Sequence, residues 1–376
     1  LSNSFDNWCP EIYRGVYIDR HNDTHVRVAP CCQADSVLEP ADTFDFVTSP
    51  YLTQLRQQFD QNQQPSACSR CWQVEKLGHK SRRKSVIEFF QDAGPTRTVE
   101  LHSIDHSATW ACNLACVMCD AQSSSFWAKQ NNLSKDELTN MGRYFQKSNN
   151  FLDKLDVSKI KKIHFNGGEP LLNNDQTALL LKLEEQGVLK DTLISYNTNG
   201  TVMPSPVIVD LWSRARLVKI FFSIDAVGSA FEYIRWPANW KQTSQNILNM
   251  RETLPGNVMF GVNTTVGSYN LLEIDQVCRW FEQNIQTNRE GDPSDFCWQF
   301  AGNFDPMNAS AIIKQQAIQQ MESFAVLSGV VNYLHETMNS PENNVWIDLL
   351  DKIDSKRGTD WRTALNTAKF IKETTC

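Results

Sequence analysis

The chain has 376 residues, a net charge of −7, 41% hydrophobic residues and 21% charged residues. That length allows one large or two ordinary domains, and the composition is that of a soluble globular protein. The charge gives no whole-chain bias toward nucleic acid or an anionic membrane, and no apolar run reaches the ~18–20 residues that cross a bilayer, so neither partner is expected.

The opening segment LSNSFDNWCPEIYRG lacks a charged stretch followed by an apolar core, so no secretory signal is expected there. Residues 1–97 read as an irregular, cysteine-rich module containing one hairpin, Val16–Asp19 and His25–Val28. The basic run Lys80, Arg82, Arg83 and Lys84 is expected to be a solvated face, and Gly94-Pro95 marks a boundary. Residues 98–305 alternate two textures. Strands are expected at Thr98–Trp110, Lys161–Phe165, Thr192–Asn197, Leu217–Ile224, Asn257–Val266 and Asp295–Phe300. Helices are expected near 134–150, 174–187, 205–215, 240–253 and 270–284. Such alternation implies βαβ units with parallel pairing. Six units are too few for a closed eight-unit barrel and suit a partial (β/α)6 TIM-like barrel of the α/β class. Residues 306–376 read as a helical tail, with a run over 308–328 and amphipathic stretches over 342–354 and 359–372. Trp346, Ile347, Leu349, Leu350 and Ile353 give the first of these two stretches an apolar face, which should pack over the barrel or the first module.

Eleven cysteines stand at 9, 31, 32, 68, 71, 112, 116, 119, 278, 297 and 376. An odd number, clustered at short spacings in a long chain, argues against a disulfide framework and for metal or cluster ligation in a reducing cytoplasm. Cys278 and Cys297 are expected to be buried thiols, and Cys376 is the last residue. The segment Cys112-Asn113-Leu114-Ala115-Cys116-Val117-Met118-Cys119 has the spacing C-x3-C-x2-C. Soft thiolates favour iron–sulfur clusters. Three of them leave one iron of a [4Fe–4S] cluster open, as a substrate-binding cluster needs. A zinc knuckle would want a fourth Cys or His close by, and none follows Cys119 within reach. One βα unit later comes Asn166-Gly167-Gly168-Glu169-Pro170. Its two glycines let a ligand approach the backbone, and the exposed carbonyls with the Glu169 carboxylate can accept from an ammonium group.

Together, CNLACVMC and NGGEP resemble the radical S-adenosylmethionine (SAM) superfamily, over roughly 99–305. The resemblance implies that Cys112, Cys116 and Cys119 hold the cluster, whose open iron is chelated by SAM. It implies that the Gly167-Gly168-Glu169 turn holds the SAM amino group, and that reductive cleavage yields methionine and a 5′-deoxyadenosyl radical that abstracts hydrogen from substrate. Asn199, Ser223, Asp225 and Thr265 resemble residues at strand ends near SAM, and Arg235 resembles an arginine that pairs with the SAM carboxylate. Barrel active sites are assembled at such ends, although each position could equally be a helix cap.

Cys9, a hairpin, Cys31-Cys32 and then Cys68-x2-Cys71 resemble the auxiliary-cluster modules called SPASM and twitch, here ahead of the barrel instead of after it. The resemblance implies one auxiliary [4Fe–4S] cluster, with one of Cys31 and Cys32 spare; a structural zinc site is the alternative. The chain is expected to be a cytoplasmic enzyme modifying a peptide or protein side chain, with a sugar or nucleotide-linked small molecule as the alternative substrate. Its electron donor would be a flavodoxin or ferredoxin. A non-enzymatic iron–sulfur or zinc protein is the competing class.

Overall fold

The computed structural model describes residues 7–76, 80–91, 94–143, 151–173, 175–285 and 296–371. Nine strands form one sheet in the order β3-β2-β1-β4-β5-β6-β7-β8-β9. They are β1 Gly15–Arg20, β2 His25–Ala29, β3 Val37–Pro40, β4 Ser103–Thr109, β5 Lys162–Gly167, β6 Leu193–Thr198, β7 Leu217–Ser223, β8 Val258–Val266 and β9 Phe296–Phe300. The strands from β4 to β9 match the six expected ones to within a few residues, β4 being the most shortened. Among the described pairs, β4 with β5, β5 with β6 and β8 with β9 run parallel, while β1 with β2 and β2 with β3 run antiparallel. The expected hairpin is therefore β1–β2, and it does not stand apart: β1 also pairs parallel with β4, Tyr17 opposite Asp105. A partial TIM-like α/β architecture with a helical tail results.

Two compact units are present, and the dividing line passes through β6 and β7 themselves. One comprises Leu1–Trp110, Leu133–Tyr196 and Pro206–Val218; the other Ala111–Asn132, Asn197–Ser205 and Lys219–Cys376. Neither boundary anticipated at 97/98 or 305/306 separates them.

In the first unit, period-two alternation divides the strands into two faces. Val16, Ile18, Ile104, Ile163, Phe165, Ile194 and Tyr196 are buried on the apolar face. Phe165 stacks on Tyr196 at 4.9 Å, and Tyr196 meets Trp212 of helix Pro206–Arg214 at 5.1 Å. Burying each such side chain contributes about 1.5–3 kcal/mol. The opposite face is polar and hydrogen-bonded: Asn166 Nδ2 donates to Asp105 Oδ1 at 2.7 Å, and His164 Nδ1 shares a bond with Ser195 Oγ at 2.8 Å. In the second unit Phe222 and Phe260, Phe231 and Trp240, and Trp240 and Trp280 form the aromatic core.

Several expectations need correction. Among the described residues, 1–97 contain four helices, Pro10–Arg14, Pro50–Asp60, Ser69–Lys76 and Arg82–Phe89, besides the hairpin. The helix expected over 134–150 is Lys135–Asn140; it starts at a Ser134–Glu137 capping box and stops before Gly142, whose φ of +68° is left-handed, while 144–150 lie outside the described residues. Two short helices, Ser125–Gln130 and Gly228–Ile234, were not anticipated. The basic run is a solvated face only at Lys80 and Lys84, which are exposed; its two arginines are engaged within the protein. Arg83 is buried, pairs with Glu75 at 2.5 Å and donates to the Trp8 carbonyl at 2.8 Å; Arg82 pairs with Asp105 at 3.1 Å. In the tail, helix Val345–Arg357 buries Trp346 and Leu350, as its apolar face implied.

Candidate iron–sulfur and cofactor site

The loop bearing Cys112, Cys116 and Cys119 is fixed by its own backbone. Ser125 Oγ accepts from the Cys112 N–H at 3.0 Å, and Ser124 Oγ donates to the Leu114 carbonyl at 2.6 Å. The Ala115 and Val117 N–H groups donate to the carbonyls of Trp236 and Ile234, each at 2.8 Å. Trp127 Nε1 donates to the Cys116 carbonyl at 2.9 Å. Asn199 braces the loop through Asn113 Oδ1 at 2.9 Å, and Asn113 in turn donates to Thr201 Oγ1 at 2.8 Å. From the tail, Arg357 donates to the Ala115 carbonyl, its guanidinium 4.7 Å from the Trp127 ring and 5.4 Å from that of Trp236. Nothing in the chain's local pattern marks Arg357; only the fold brings it here.

The three thiols lie close enough to feel one another. Burial, with the neighbouring thiols adding to it, pushes Cys116 up to about 12 and Cys119 to about 11. Three such groups become thiolates together only if a positive centre joins them. Arg235 brings a cation to them, its Nη1 3.8 Å from Cys116 Sγ. It also pairs with Asp225 at 2.7 Å, and both side chains are buried. Burial opposes the Arg235 charge, but Asp225 and then Cys116 outweigh it and raise its pKa. Asp225 Oδ1 accepts the Thr265 N–H at 2.7 Å, and its carbonyl accepts from Asn270 Nδ2 at 2.9 Å. Tyr269, missed in the sequence, keeps a buried hydroxyl without a hydrogen-bond partner beside this pair, and Gly267 makes room for its ring. Ser223 ends β7, partly exposed. Asn199, Asp225, Arg235 and Thr265 thus share one unit with the cysteine loop. Arg235, expected on a SAM carboxylate, is held by Asp225 within the chain itself.

The glycine turn belongs to the first unit. Gly167 has φ +112°, and a Cβ there would meet the Thr109 carbonyl at 2.5 Å; the Gly168 N–H donates to that same carbonyl at 2.6 Å. Glycine is therefore obligatory at 167. Glu169 is fully buried, and its Oε1 accepts the Leu171 N–H at 3.1 Å, so one carboxylate oxygen caps the turn Pro170–Leu172.

Residues 107–281 match the family model of the Radical SAM superfamily. They form a radical SAM domain. Structural likeness to solved proteins is slight. Native anSMEcpe with bound AdoMet matches at 15% identity over 59% of this chain and 59% of its own, with a TM-score of 0.37. Streptococcus suis SuiB bound to S-adenosylmethionine matches at 11% identity over 85% and 68%, TM-score 0.34; SuiB bound to precursor peptide SuiA matches at 12% over 81% and 67%, TM-score 0.34. Likeness at this level says nothing of what this chain acts on, and the match spans only 59% of the anSMEcpe chain.

Ahead of the radical SAM domain, a pocket within the first unit gathers Cys9, Cys31, Cys68 and Cys71 together with Arg82 and Glu11. Cys9 precedes helix Pro10–Arg14, Cys31 follows β2, Cys68 closes the turn Ser66–Cys68, and Cys71 lies in helix Ser69–Lys76. Cys9 and Cys68 pack against the core of Trp8, Ile12, Tyr13, Leu55, Phe59 and Trp72. Cys32 does not line this pocket; its thiol lies against Asp105 and Arg82. Burial pushes Cys31 up to about 11 and Cys68 to about 12. Among the described residues no three His, Cys, Asp or Glu side chains are drawn tightly enough to grip one metal ion. A four-iron cluster offers a separate iron to each thiolate, so its ligands stand further apart than four around a single zinc. Cys278 is buried as expected, but Cys297 is exposed, and Cys376 lies outside the described residues. Among the described residues no helix is long and apolar enough to cross a membrane.

Proposed function

We propose that this chain is a radical enzyme that reductively cleaves SAM and uses the resulting radical to modify a peptide or protein side chain. The observation that carries the reading is the loop itself: three mutually coupled thiols on one braced segment beside the buried Arg235–Asp225 pair. Cys112, Cys116 and Cys119 would hold a [4Fe–4S] cluster. When bound, that cluster supplies the electron that splits SAM into methionine and a 5′-deoxyadenosyl radical. Arg235 offsets the negative charge of the Cys116 thiolate, and Asp225 orients Arg235. By the motif resemblance, Gly167, Gly168 and Glu169 would serve the SAM amino group, and Asn199, Ser223, Asp225 and Thr265 would serve its other groups. The chain takes its electron from a small donor protein such as a flavodoxin or ferredoxin.

Cys9, Cys31, Cys68 and Cys71 would hold one auxiliary [4Fe–4S] cluster, with Cys32 the spare thiol. Their shared pocket supports this reading, and the resemblance of the cysteine order to modules of peptide-modifying enzymes supports the substrate class. Anaerobic reconstitution with a reductant and SAM tests the activity: 5′-deoxyadenosine should form, and none should form with Cys116→Ala. Equal product from both proteins would refute the assignment.

A further inference from the structure

Arg82 is the first residue of helix Arg82–Phe89, whose N-cap is Ser81. Its guanidinium lies 3.1 Å from Asp105 Oδ2 and 3.6 Å from Glu11 Oε1. Those two contacts use one end of the fork. At the other end Nε is buried and has no hydrogen-bond partner. A buried N–H without an acceptor costs about 1–3 kcal/mol and is rare in folded proteins. The pocket that Arg82 lines is also lined by Cys9, Cys31, Cys68 and Cys71. Arg83, on the same helix turn, is already engaged by Glu75 and the Trp8 carbonyl, so its role is to fix the helix.

We infer that Arg82 donates its buried Nε–H to a sulfur of the auxiliary cluster and thereby raises that cluster's reduction potential. The inference rests on the auxiliary-cluster reading above. Four thiolates around a cubane make the assembly net negative, and hydrogen bonds to sulfur together with nearby charge set an iron–sulfur potential. Added electron density is stabilised by a cation and by an N–H pointing at sulfur. Glu11, which lines the same pocket, and Asp105 have the opposite effect, and Arg82 pairs with both. Arg82 is thus a positioning residue for the potential, not a ligand.

The test uses the full chain, reconstituted anaerobically and titrated against potential by electron paramagnetic resonance. Wild-type protein should carry about eight irons, the sum of two four-iron clusters. Finding only about four would refute the auxiliary cluster itself. With about eight present, Arg82→Gln should shift the auxiliary midpoint to lower potential while the SAM-binding cluster's midpoint stays in place. Arg82→Lys, which keeps the charge but not the planar fork, should fall between the two. An auxiliary midpoint unchanged in Arg82→Gln overturns the inference, and full restoration by Lys overturns the hydrogen bond. Should either variant lose iron, wild-type protein labelled with heavy-nitrogen arginine decides the matter. Its pulsed resonance spectrum must show guanidinium nitrogen coupled to the auxiliary cluster, and absence of that coupling refutes the contact.

Discussion

The two cysteine sets are built on opposite plans. Cys112, Cys116 and Cys119 sit on one loop whose shape is set by neighbouring serines, Trp127 and the carbonyls of Ile234 and Trp236. Cys9, Cys31, Cys68 and Cys71 come from a helix start, a strand end and a turn running into a helix, and they meet only once the sheet and the aromatic cluster have formed. Yet both solve the same electrostatic problem alike. Each places beside its thiols an arginine tied to a buried carboxylate, Arg235 to Asp225 and Arg82 to Asp105, and each arginine keeps a buried Nε–H without a hydrogen-bond partner. A site encoded locally and a site assembled from distant segments thus converge on one arrangement of charge.

The sharpest way to break that comparison is to remove one thiol from each. Cys116→Ala takes away a buried ligand from a set with no spare, so 5′-deoxyadenosine formation should vanish and iron should fall from about eight to about four per chain. Removing Cys68 and Cys71 together should lower iron to the same level but leave the SAM-perturbed resonance signal of the loop cluster intact. If zinc fills the second site, the intact protein will show about four irons and one zinc, and the likeness between the two sites will be one of charge alone.

How much of this was legible beforehand follows from the same contrast. The C-x3-C-x2-C loop and the glycine turn were readable because their chemistry is fixed by adjacent residues, and the alternation in β4 to β9 gave the strands for the same reason. What escaped depends on distance along the chain. Pairing of β1 with β4 joins residues far apart in sequence, and nothing in Gly15–Arg20 distinguishes it from an isolated hairpin strand. Arg82 and Arg83 looked like solvated charges because their partners, Asp105, Glu11 and Glu75, are supplied by other segments. The choice between Cys31 and Cys32 was likewise invisible: the two adjacent residues lie in a turn after β2, and of the two only Cys31 lines the pocket with Cys9, Cys68 and Cys71.

Acid should act on the first unit before the second. His164 is half-buried against Ser195, and lost hydration, aided by Arg82 and Lys162, holds it down to about 4 despite Asp105. His21, His102 and His106 are also lowered, chiefly by burial, and all four lie in the first unit; the second has only the exposed His335. A histidine whose folded pKa lies below the free value of ~6.5 gives stability that is complete above that pH and is lost as pH falls toward the folded value. For His164 about 3 kcal/mol is at stake between pH ~6.5 and ~4. Denaturant melts at pH 7 and 4.5 should show the loss, and His164→Gln should lessen it. An equal loss in the variant would place the acid-sensitive group elsewhere.

Arg235 separates binding from folding in the second unit. Arg235→Ala leaves Asp225 buried without its cation and removes the positive charge beside Cys116. A buried charge-assisted contact contributes roughly 1.5–3 kcal/mol, so SAM affinity by calorimetry should fall about ten-fold or more. The double change Asp225→Asn with Arg235→Gln keeps a hydrogen-bonded pair without charge. It should recover stability but not affinity if the arginine serves the ligand. Recovery of both would reduce Arg235 to a structural partner of Asp225.

The smallest expected effect lies in the tail, and it asks whether the cysteine loop is as self-sufficient as its local pattern suggests. Arg357 is the last residue of helix Val345–Arg357, where the C-terminal carbonyls favour a cation. From there it reaches the Ala115 carbonyl between the rings of Trp127 and Trp236. Both tryptophans also hold the loop directly, Trp127 through its indole N–H to the Cys116 carbonyl and Trp236 through its backbone carbonyl, which accepts the Ala115 N–H. Removing the guanidinium therefore opens a gap beside two tryptophans that each hold the loop, one by its ring N–H and one by its backbone carbonyl. A hydrogen bond from a charged donor and a half-desolvated cation–π contact together contribute about 2–3 kcal/mol. Some of that is offset because burial already lowers Arg357 to about 10, a sign that the site costs the charge some hydration. Arg357→Ala should then lower stability by about 1–2 kcal/mol and slow iron loading of the loop, with SAM cleavage reduced in proportion to iron bound. Arg357→Lys should keep the hydrogen bond to Ala115 but lose the planar stacking, and fall between the two. Unchanged iron loading in Arg357→Ala would mean that the serines and tryptophans alone hold the three thiols in place, and that the tail covers the loop without shaping it.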